Sequence, residues 1–286
     1  MRKTTQLRAL VQQGKTVVAP GVFDGMSARL VAGAGFTAAY ASGGAIARSC
    51  GIPDIGLLSL SEIADRVAQI VDVVDIPVIA DADNGYGNAL NAQRAARAFE
   101  RAGVAAFHLE DQTFPKRCGH YDDKSVVPTA EMVGKLKAVR DCLHDPDLVV
   151  IARTDAIAVE GFESAMDRCF AYAEAGADVL FLDAPTTEKQ IEEIARRLPR
   201  WKLINMFQGG KTPLLPISQL EQWGFHIVII PSDLQRAGIR AMQRTLDAIR
   251  RDGSSQSVLD DMAGFDEREK LVATAEFLDR GKRYAS

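Results

Sequence analysis

Eight short apolar runs, rich in β-branched residues, limit what this chain can fold into more than any other feature. They fall at about 16–21, 37–42, 77–82, 105–110, 148–153, 179–183, 202–206 and 226–230. Thr16-Val17-Val18-Ala19 and Val149-Val150-Ile151-Ala152 are continuously apolar rather than alternating. That pattern marks parallel strands covered on both faces. Between the runs lie segments of helical period, such as Leu60 to Val73 with Ile63, Val67, Ile70 and Val71 on one face. Ala89 to Ala102, Thr129 to Cys142, Phe162 to Ala175, Glu188 to Leu198, Ile217 to Trp223 and Leu234 to Arg250 continue the alternation. Ser61 with Glu62, and Thr129 with Glu131, supply helix-start chemistry. Gly35, Gly103 and Gly176 each stand between a helix and a strand, where an αβ turn favours glycine. Eight strands alternating with helices predict an α/β fold, the (β/α)8 barrel. A doubly wound open sheet is the alternative, but Pro20-Gly21-Val22-Phe23-Asp24 lacks the glycine-rich dinucleotide turn. Residues 1–286 read as one barrel domain, with a break at Asp252-Gly253-Ser254-Ser255 and 253–286 as a C-terminal helical extension. Its helix, about Asp266 to Arg283, has no slot in the barrel and is expected to pack on a neighbouring subunit.

Composition narrows the function classes. A formal charge of −4 offers no nucleic-acid footprint. No apolar run approaches the roughly 20 residues of a membrane span. The first residues carry no apolar core of a secretory signal. Cys50, Cys118, Cys142 and Cys169 show neither CxxC pairing nor zinc spacing. A cytoplasmic protein with free thiols is expected.

Barrel chemistry sits at the C-terminal ends of the strands. Here each run ends in polar residues: Tyr40-Ala41-Ser42-Gly43-Gly44, Asp81-Ala82-Asp83, His108-Leu109-Glu110-Asp111, Arg153-Thr154-Asp155, Asp183 and Asn205. Asp81 and Asp83, two apart on a strand, point to one face. Two converging carboxylates repel unless a cation joins them, and a hard divalent ion such as Mg²⁺ suits carboxylate oxygen and water. A pair of turn-capping aspartates is the bland alternative. Glu110 on the next strand is placed to bind metal-held water, and Asp111 either shares that role or faces outward. Ser42-Gly43-Gly44 presents successive N–H groups to an anion, unless it is an ordinary βα turn. Arg153, set among apolar residues, demands a partner, and a substrate carboxylate is a natural one. Tyr40 is a proton-transfer candidate or a core aromatic. His108, inside a strand, reads as structural.

Lys116-Arg117-Cys118-Gly119-His120 places a thiol between cations and an imidazole. Cationic neighbours stabilise a thiolate. The alternative is a solvated basic loop with an incidental cysteine.

Together these motifs resemble the isocitrate lyase/phosphoenolpyruvate mutase superfamily over nearly the whole chain. The Lys116–His120 loop resembles its carbon–carbon lyase branch, which includes 2-methylisocitrate and 2,3-dimethylmalate lyases. The resemblance implies a (β/α)8 barrel, Mg²⁺ with Mn²⁺ as a substitute, a mobile cysteine loop and a homotetramer that exchanges a terminal helix. It implies metal-site roles for Asp81 and Asp83, with Glu110 beside them. It implies substrate binding by Ser42, Gly43, Gly44, Gly119, Arg153, Asp183, Asn205 and Arg240. It makes Cys118 the catalytic acid and Arg153 a substrate clamp; His120 and Tyr40 are the further catalytic candidates, Tyr40 as the base for the hydroxyl proton. Asp183 stands where 2-methylisocitrate lyases carry glutamate, and Asn205 to Pro213 is closer to the dimethylmalate lyase pattern. Asp155 to Gly161 is closer to the methylisocitrate one. The expected reaction is retro-aldol cleavage of a 2-hydroxy di- or tricarboxylate. An oxaloacetate hydrolase or decarboxylase is the rival within the family. A phosphonate mutase and a non-catalytic metabolite-binding barrel rank lower.

Overall fold

A computed structural model of the chain describes residues 1–117 and 123–285. Each apolar run becomes a strand: β1 (Val17–Val22), β2 (Ala39–Ala41), β3 (Val78–Asp81), β4 (Ala106–Glu110), β5 (Val149–Thr154), β6 (Val179–Leu182), β7 (Trp201–Asn205) and β8 (Ile227–Ile230). They form a closed barrel in sequence order. All neighbours are parallel, β8 included where it returns to β1. This is the (β/α)8 architecture the alternation predicts.

The strands bury both faces, and parity divides their residues into two cores. Ile79, Ala106, Ile151, Phe181, Leu203 and Ile229 pack together inside the barrel. Leu7 and Val11 of the Lys3–Gln12 helix join them and close its N-terminal end. Val78, Ala80, Phe107, Leu109, Val150 and Ala152, one residue out of phase, pack against the surrounding helices. A slip of one residue would exchange the two sets, so parity fixes which rim residues look inward.

The long helices keep their expected places, within two residues at each end. Leu60–Asp72 begins where the sequence suggests, but its cap lies two residues before Ser61. Ser59, not Ser61, caps it, and Glu62 returns the bond to the Ser59 N–H at 2.8 Å. The capping box needs a spacing of three, which Ser61 and Glu62 lack. Thr129 likewise lies inside its helix, with Pro128 at the cap position. The C-terminal segment departs further: Phe265–Leu271 and Thr274–Arg283 are separate helices, broken where Ala273 takes a left-handed φ of 57°. Met242, Leu246, Phe265, Phe277 and Leu278 are exposed on this part of the chain. Among the described residues no helix is long and apolar enough to cross a membrane.

Gly21 shapes the rim. A Cβ there would stand 2.0 Å from the Pro231 carbonyl oxygen. Glycine lets the chain leaving β8 cross close over β1, which aims Ser232 and Gln235 at the barrel mouth.

Candidate active site

Strand register assembles the site from inward-facing rim residues. Asp81 pairs with His108, Glu110 with Arg153 and Arg153 with Phe181 on adjoining strands. All sit at the C-terminal ends, around a cavity of about 210 Å³. Tyr40, Ser42, Gly44, Asp81, Glu110, Arg153, Asp183 and Asn205 line it, as the sequence leads one to expect. Asp111 faces the other way. It accepts bonds from Thr154 Oγ1 (2.7 Å), the Asp155 N–H (3.0 Å) and the Tyr172 hydroxyl (2.8 Å), and so anchors the end of β5 from behind.

Arg153 is the most heavily paired cation. Its Nε and Nη2 reach the two Asp155 oxygens at 2.9 and 3.0 Å, and Nη2 also donates to Asp183 Oδ2 at 2.9 Å. Nη1 lies 3.4 Å from Glu110 Oε2, and the guanidinium stacks 5.2 Å over the Phe181 ring. Lys124 completes the cluster at 2.9 Å from Asp155. Against the cost of burial, Arg153 and Lys124 hold Asp155 well below the usual carboxylate range. Burial pushes Glu110 well up, Arg153 notwithstanding.

The Asp81–Asp83 pair converges, but not by strand alternation. β3 ends at Asp81, and Asp83 lies in the loop with a left-handed φ of 47°. The Asp83 N–H donates back to Asp81 Oδ1 at 3.1 Å. The Gly43 N–H donates to Asp81 Oδ2 at 3.2 Å, so Ser42-Gly43-Gly44 serves Asp81 here, while Ser42 Oγ caps the Gly43–Ser49 helix. A Cβ on Gly43 would stand 2.8 Å from Asp81 Oδ2, so only glycine permits this approach. The Tyr40 hydroxyl lies 3.2 Å from Asp81 Oδ2 and 2.8 Å from His108 Nε2. Burial raises the Tyr40 pKa well above 10, with Asp81 adding to the effect, so it is a phenol. Burial lowers His108 to about 4, so the imidazole is neutral at pH 7. Burial pushes Asp81 up, yet His108, Lys116 and Arg153 bring it down to about 2. With His108 neutral, the lysine and arginine carry that effect at pH 7. Burial with Asp81 and Asp54 nearby lifts Asp83 to about 6, although Lys116 opposes the rise.

Two residues absent from the sequence expectation belong to this cluster. Asp54 is buried, and the Lys116 ammonium bridges it to Asp83, 2.8 Å from Asp83 Oδ1. Nothing in Gly51-Ile52-Pro53-Asp54 stands at a strand end, so rim reading passes it over. Gln112 grips the Arg117 N–H and carbonyl at 2.8 and 2.9 Å, which aims Lys116 inward. Arg48, Arg117, Phe207, Ile229, Pro231, Ser232, Gln235, Arg236 and Ile239 complete the lining.

Arg240 does not line the cavity. It is exposed on the Asp233–Asp252 helix, and Arg236, one turn nearer the strand, takes the position at the mouth. Ser232, Gln235, Arg236 and Ile239 share a face at the 3–4 spacing and line the cavity, and Arg240 is not among the lining residues. Cys118, Gly119 and His120 lie outside the described residues.

Mg²⁺ fits the donor set. Asp54, Asp81, Asp83 and Glu110 supply hard oxygens, Glu110 Oε1 has no partner among the described residues, and a lysine ammonium already sits between two of the carboxylates. No three His, Cys, Asp or Glu side chains among the described residues form a ready-made cage. That suits an ion held by one or two carboxylates with its water retained.

Known proteins resemble this chain closely. Residues 7–250 match the family described as phosphoenolpyruvate phosphomutase. The 2,3-dimethylmalate lyase of Eubacterium barkeri is 40% identical over 287 residues, covering 100% of this chain and 99% of its own. The 2-methylisocitrate lyase of Aeropyrum pernix is 42% identical over 273 residues, covering 96% and 85%. The crystal structure of a phosphonopyruvate hydrolase in complex with oxalate and Mg²⁺ superposes with a TM-score of 0.91, at 30% identity over 100% of both chains.

Proposed function

The chain belongs to the phosphoenolpyruvate phosphomutase/isocitrate lyase superfamily and is a carbon–carbon lyase; on that premise we propose its substrate and chemistry. The substrate is a 2-hydroxy di- or tricarboxylate of the 2,3-dimethylmalate or 2-methylisocitrate type. It is cleaved to a 2-oxo acid and a second carboxylic acid. Mg²⁺ binds among Asp81, Asp83, Asp54 and Glu110, and Mn²⁺ can replace it. The observation that carries this reading is one cavity in which Tyr40 touches Asp81 while Arg48, Lys116, Arg117, Arg153 and Arg236 all line the wall. A small polyanion with an ionisable hydroxyl is what such a wall recognises.

In the cleavage, the C2 hydroxyl loses its proton, its oxygen becomes a carbonyl, and the C2–C3 electrons pass to C3 and its carboxylate. A proton then returns to C3, so no water or oxidant is consumed. A divalent cation at the carboxylates supplies Lewis acidity that lowers the hydroxyl pKa. Tyr40 is the group placed to receive the hydroxyl proton. Because it is itself a phenol, it passes its own proton on toward Asp81 or His108 as it does so. Arg153 has committed Nε and Nη2 to Asp155 and Asp183, and Nη1, 3.4 Å from Glu110 Oε2, is the nitrogen placed to face charge developing on the substrate. Asp183 Oδ1 and Asn205 Oδ1, without a hydrogen-bond partner among the described residues, are further polar contacts for the substrate. Cys118 is the proton donor to C3, within a loop shared with Gly119 and His120. The exposed apolar residues of the C-terminal helices support a homotetramer that exchanges them.

The test is an Mg²⁺-dependent assay over 2-methylisocitrate, 2,3-dimethylmalate, isocitrate, citramalate and oxaloacetate, with products identified. A 2-oxo acid product is expected from one of the hydroxy acids. Oxalate formed from oxaloacetate instead would replace this reading with hydrolysis. In Cys118→Ser, turnover should fall to a small residue while Mg²⁺ affinity is kept; near-normal turnover would remove Cys118 from its role.

A further inference from the structure

The charges around the cavity are unevenly matched. Arg153 faces Glu110, Asp155 and Asp183, and Lys116 faces Asp54 and Asp83. Arg117 has Asp123 at 3.1 Å. Arg48 lines the same cavity from the Gly43–Ser49 helix and has no hydrogen-bond or ion-pair partner among the described residues. Arg153 and Lys116 are buried and neutralised, whereas Arg48 is exposed and stands open at the mouth.

We propose that Arg48 is a substrate-binding residue whose guanidinium takes the carboxylate at the end of the substrate remote from Asp81 and the breaking bond. Local geometry supports it. Gln235 Nε2 donates to the Ala45 carbonyl at 2.8 Å and ties the Asp233–Asp252 helix to the one carrying Arg48. Arg48 lies three residues beyond Ala45, on the same helix face, and Arg236 follows Gln235 directly. The two arginines therefore flank one entrance. Arg236 is fixed by uncharged groups: its Nη1 donates to the Gln208 carbonyl at 2.6 Å, and its guanidinium stacks 5.6 Å over the Phe207 ring. Asp233, its nearest carboxylate, stays 3.8 Å away. Gly44 makes room for Arg48 and Asp54 alike, because a Cβ there would come within 2.8 Å of both Arg48 Nη1 and Asp54 Oδ2. Helix direction adds to this. The Gly43–Ser49 helix starts beside Asp81, where the Gly43 N–H reaches its carboxylate, and Arg48 lies near its far end. A dicarboxylate with one end at the carboxylate cluster thus has its other end toward Arg48 and Arg236.

This assignment rests on the lyase reading for its substrate, yet ligand binding tests it without turnover. Calorimetry in Mg²⁺ buffer would compare oxalate, too short to span the cavity, with succinate on wild type and Arg48→Met. A charge-assisted hydrogen bond is worth a fold-change of about 10–100. Succinate should weaken by that factor in Arg48→Met, oxalate should bind within about threefold of wild type, and Arg48→Lys should recover part of the succinate affinity. Equal succinate affinity in wild type and Arg48→Met overturns the proposal. So does equal weakening of both ligands, or a wild type that binds no succinate. Failure of the lyase reading shows separately, as a wild type that binds succinate through Arg48 but cleaves no hydroxy acid.

Discussion

Around β3 to β6 the rim is crowded with buried charge that the protein neutralises for itself; around β8 and the Gly43–Ser49 helix it offers apolar surface and open arginines. In the first region Arg153 alone meets three carboxylates, and Asp81, Asp83 and Asp54 share Lys116. In the second, Ile229, Pro231 and Ile239 form the wall, with Arg48 and Arg236 beside them. Buried ion pairs of the first kind seldom add stability over an apolar core, but removing one member leaves the rest uncompensated. They hold geometry for chemistry common to a superfamily. The second region has no such internal constraint, so it can set which acid is accepted at little cost to folding.

Arg153→Met breaks that contrast most severely. Glu110 and Asp183 would lose their cation and Asp155 would keep only Lys124, at a cost of about 3–5 kcal/mol in denaturant unfolding. Lyase turnover should vanish with it. Arg48→Met, on the open side, should change stability by less than about 0.5 kcal/mol. Equal stability losses in the two variants would mean the regions are not built differently.

The same contrast explains what the sequence made legible. A parallel barrel writes its strands as unbroken apolar runs, and the first polar residue after each run marks the rim, so Asp81, Glu110, Arg153 and Asp183 stood out. Parity inside the barrel then brought them together. Asp54 was hidden because a loop, not a strand, delivers it, and its role depends on meeting Lys116 about 60 residues later. His108 passed for core because a histidine within an apolar run looks the same whether it packs or bonds a tyrosine. Sequence alone does not separate Arg240 from Arg236, because arginines four apart are equivalent on a helix face until their place relative to the rim is known. The left-handed Asp83 carries no local mark either, since only the bond from its N–H to Asp81 explains the turn.

Tyr40→Phe sharpens the division between geometry and chemistry within the charged half. Asp81 Oδ2 keeps the Gly43 N–H, but the contacts of the hydroxyl to Asp81 and to His108 are both lost, so stability should fall by about 1–3 kcal/mol. Turnover should fall about 10²–10⁴-fold if the hydroxyl takes part in proton transfer. A fall in kcat under tenfold would shift that role away from the hydroxyl.

The smallest effect concerns pH, and only the charged half should show it. His108 is held to about 4 by burial, below the 6.5 of an exposed histidine. Between those values the unfolded chain binds more protons than the folded one, so stability is lost as pH falls from about 6.5 toward 4. The slope is at most about 1.4 kcal/mol per pH unit. Asp83, raised to about 6, acts in the opposite sense, since its contribution is present at low pH and lost as pH rises from about 4 to 6. The two slopes oppose each other in wild type, so the measurement must be a difference. His108→Gln keeps a donor near the Nε2 position and removes the titration, while Asp83 remains in both proteins. The stability advantage of wild type over His108→Gln should therefore shrink as pH is lowered from 6.5 to 4.5. An advantage constant across that range would mean His108 is protonated where it sits, with Asp81 as its ion-pair partner at 3.4 Å, and the Tyr40 proton would then have no neutral imidazole to move toward.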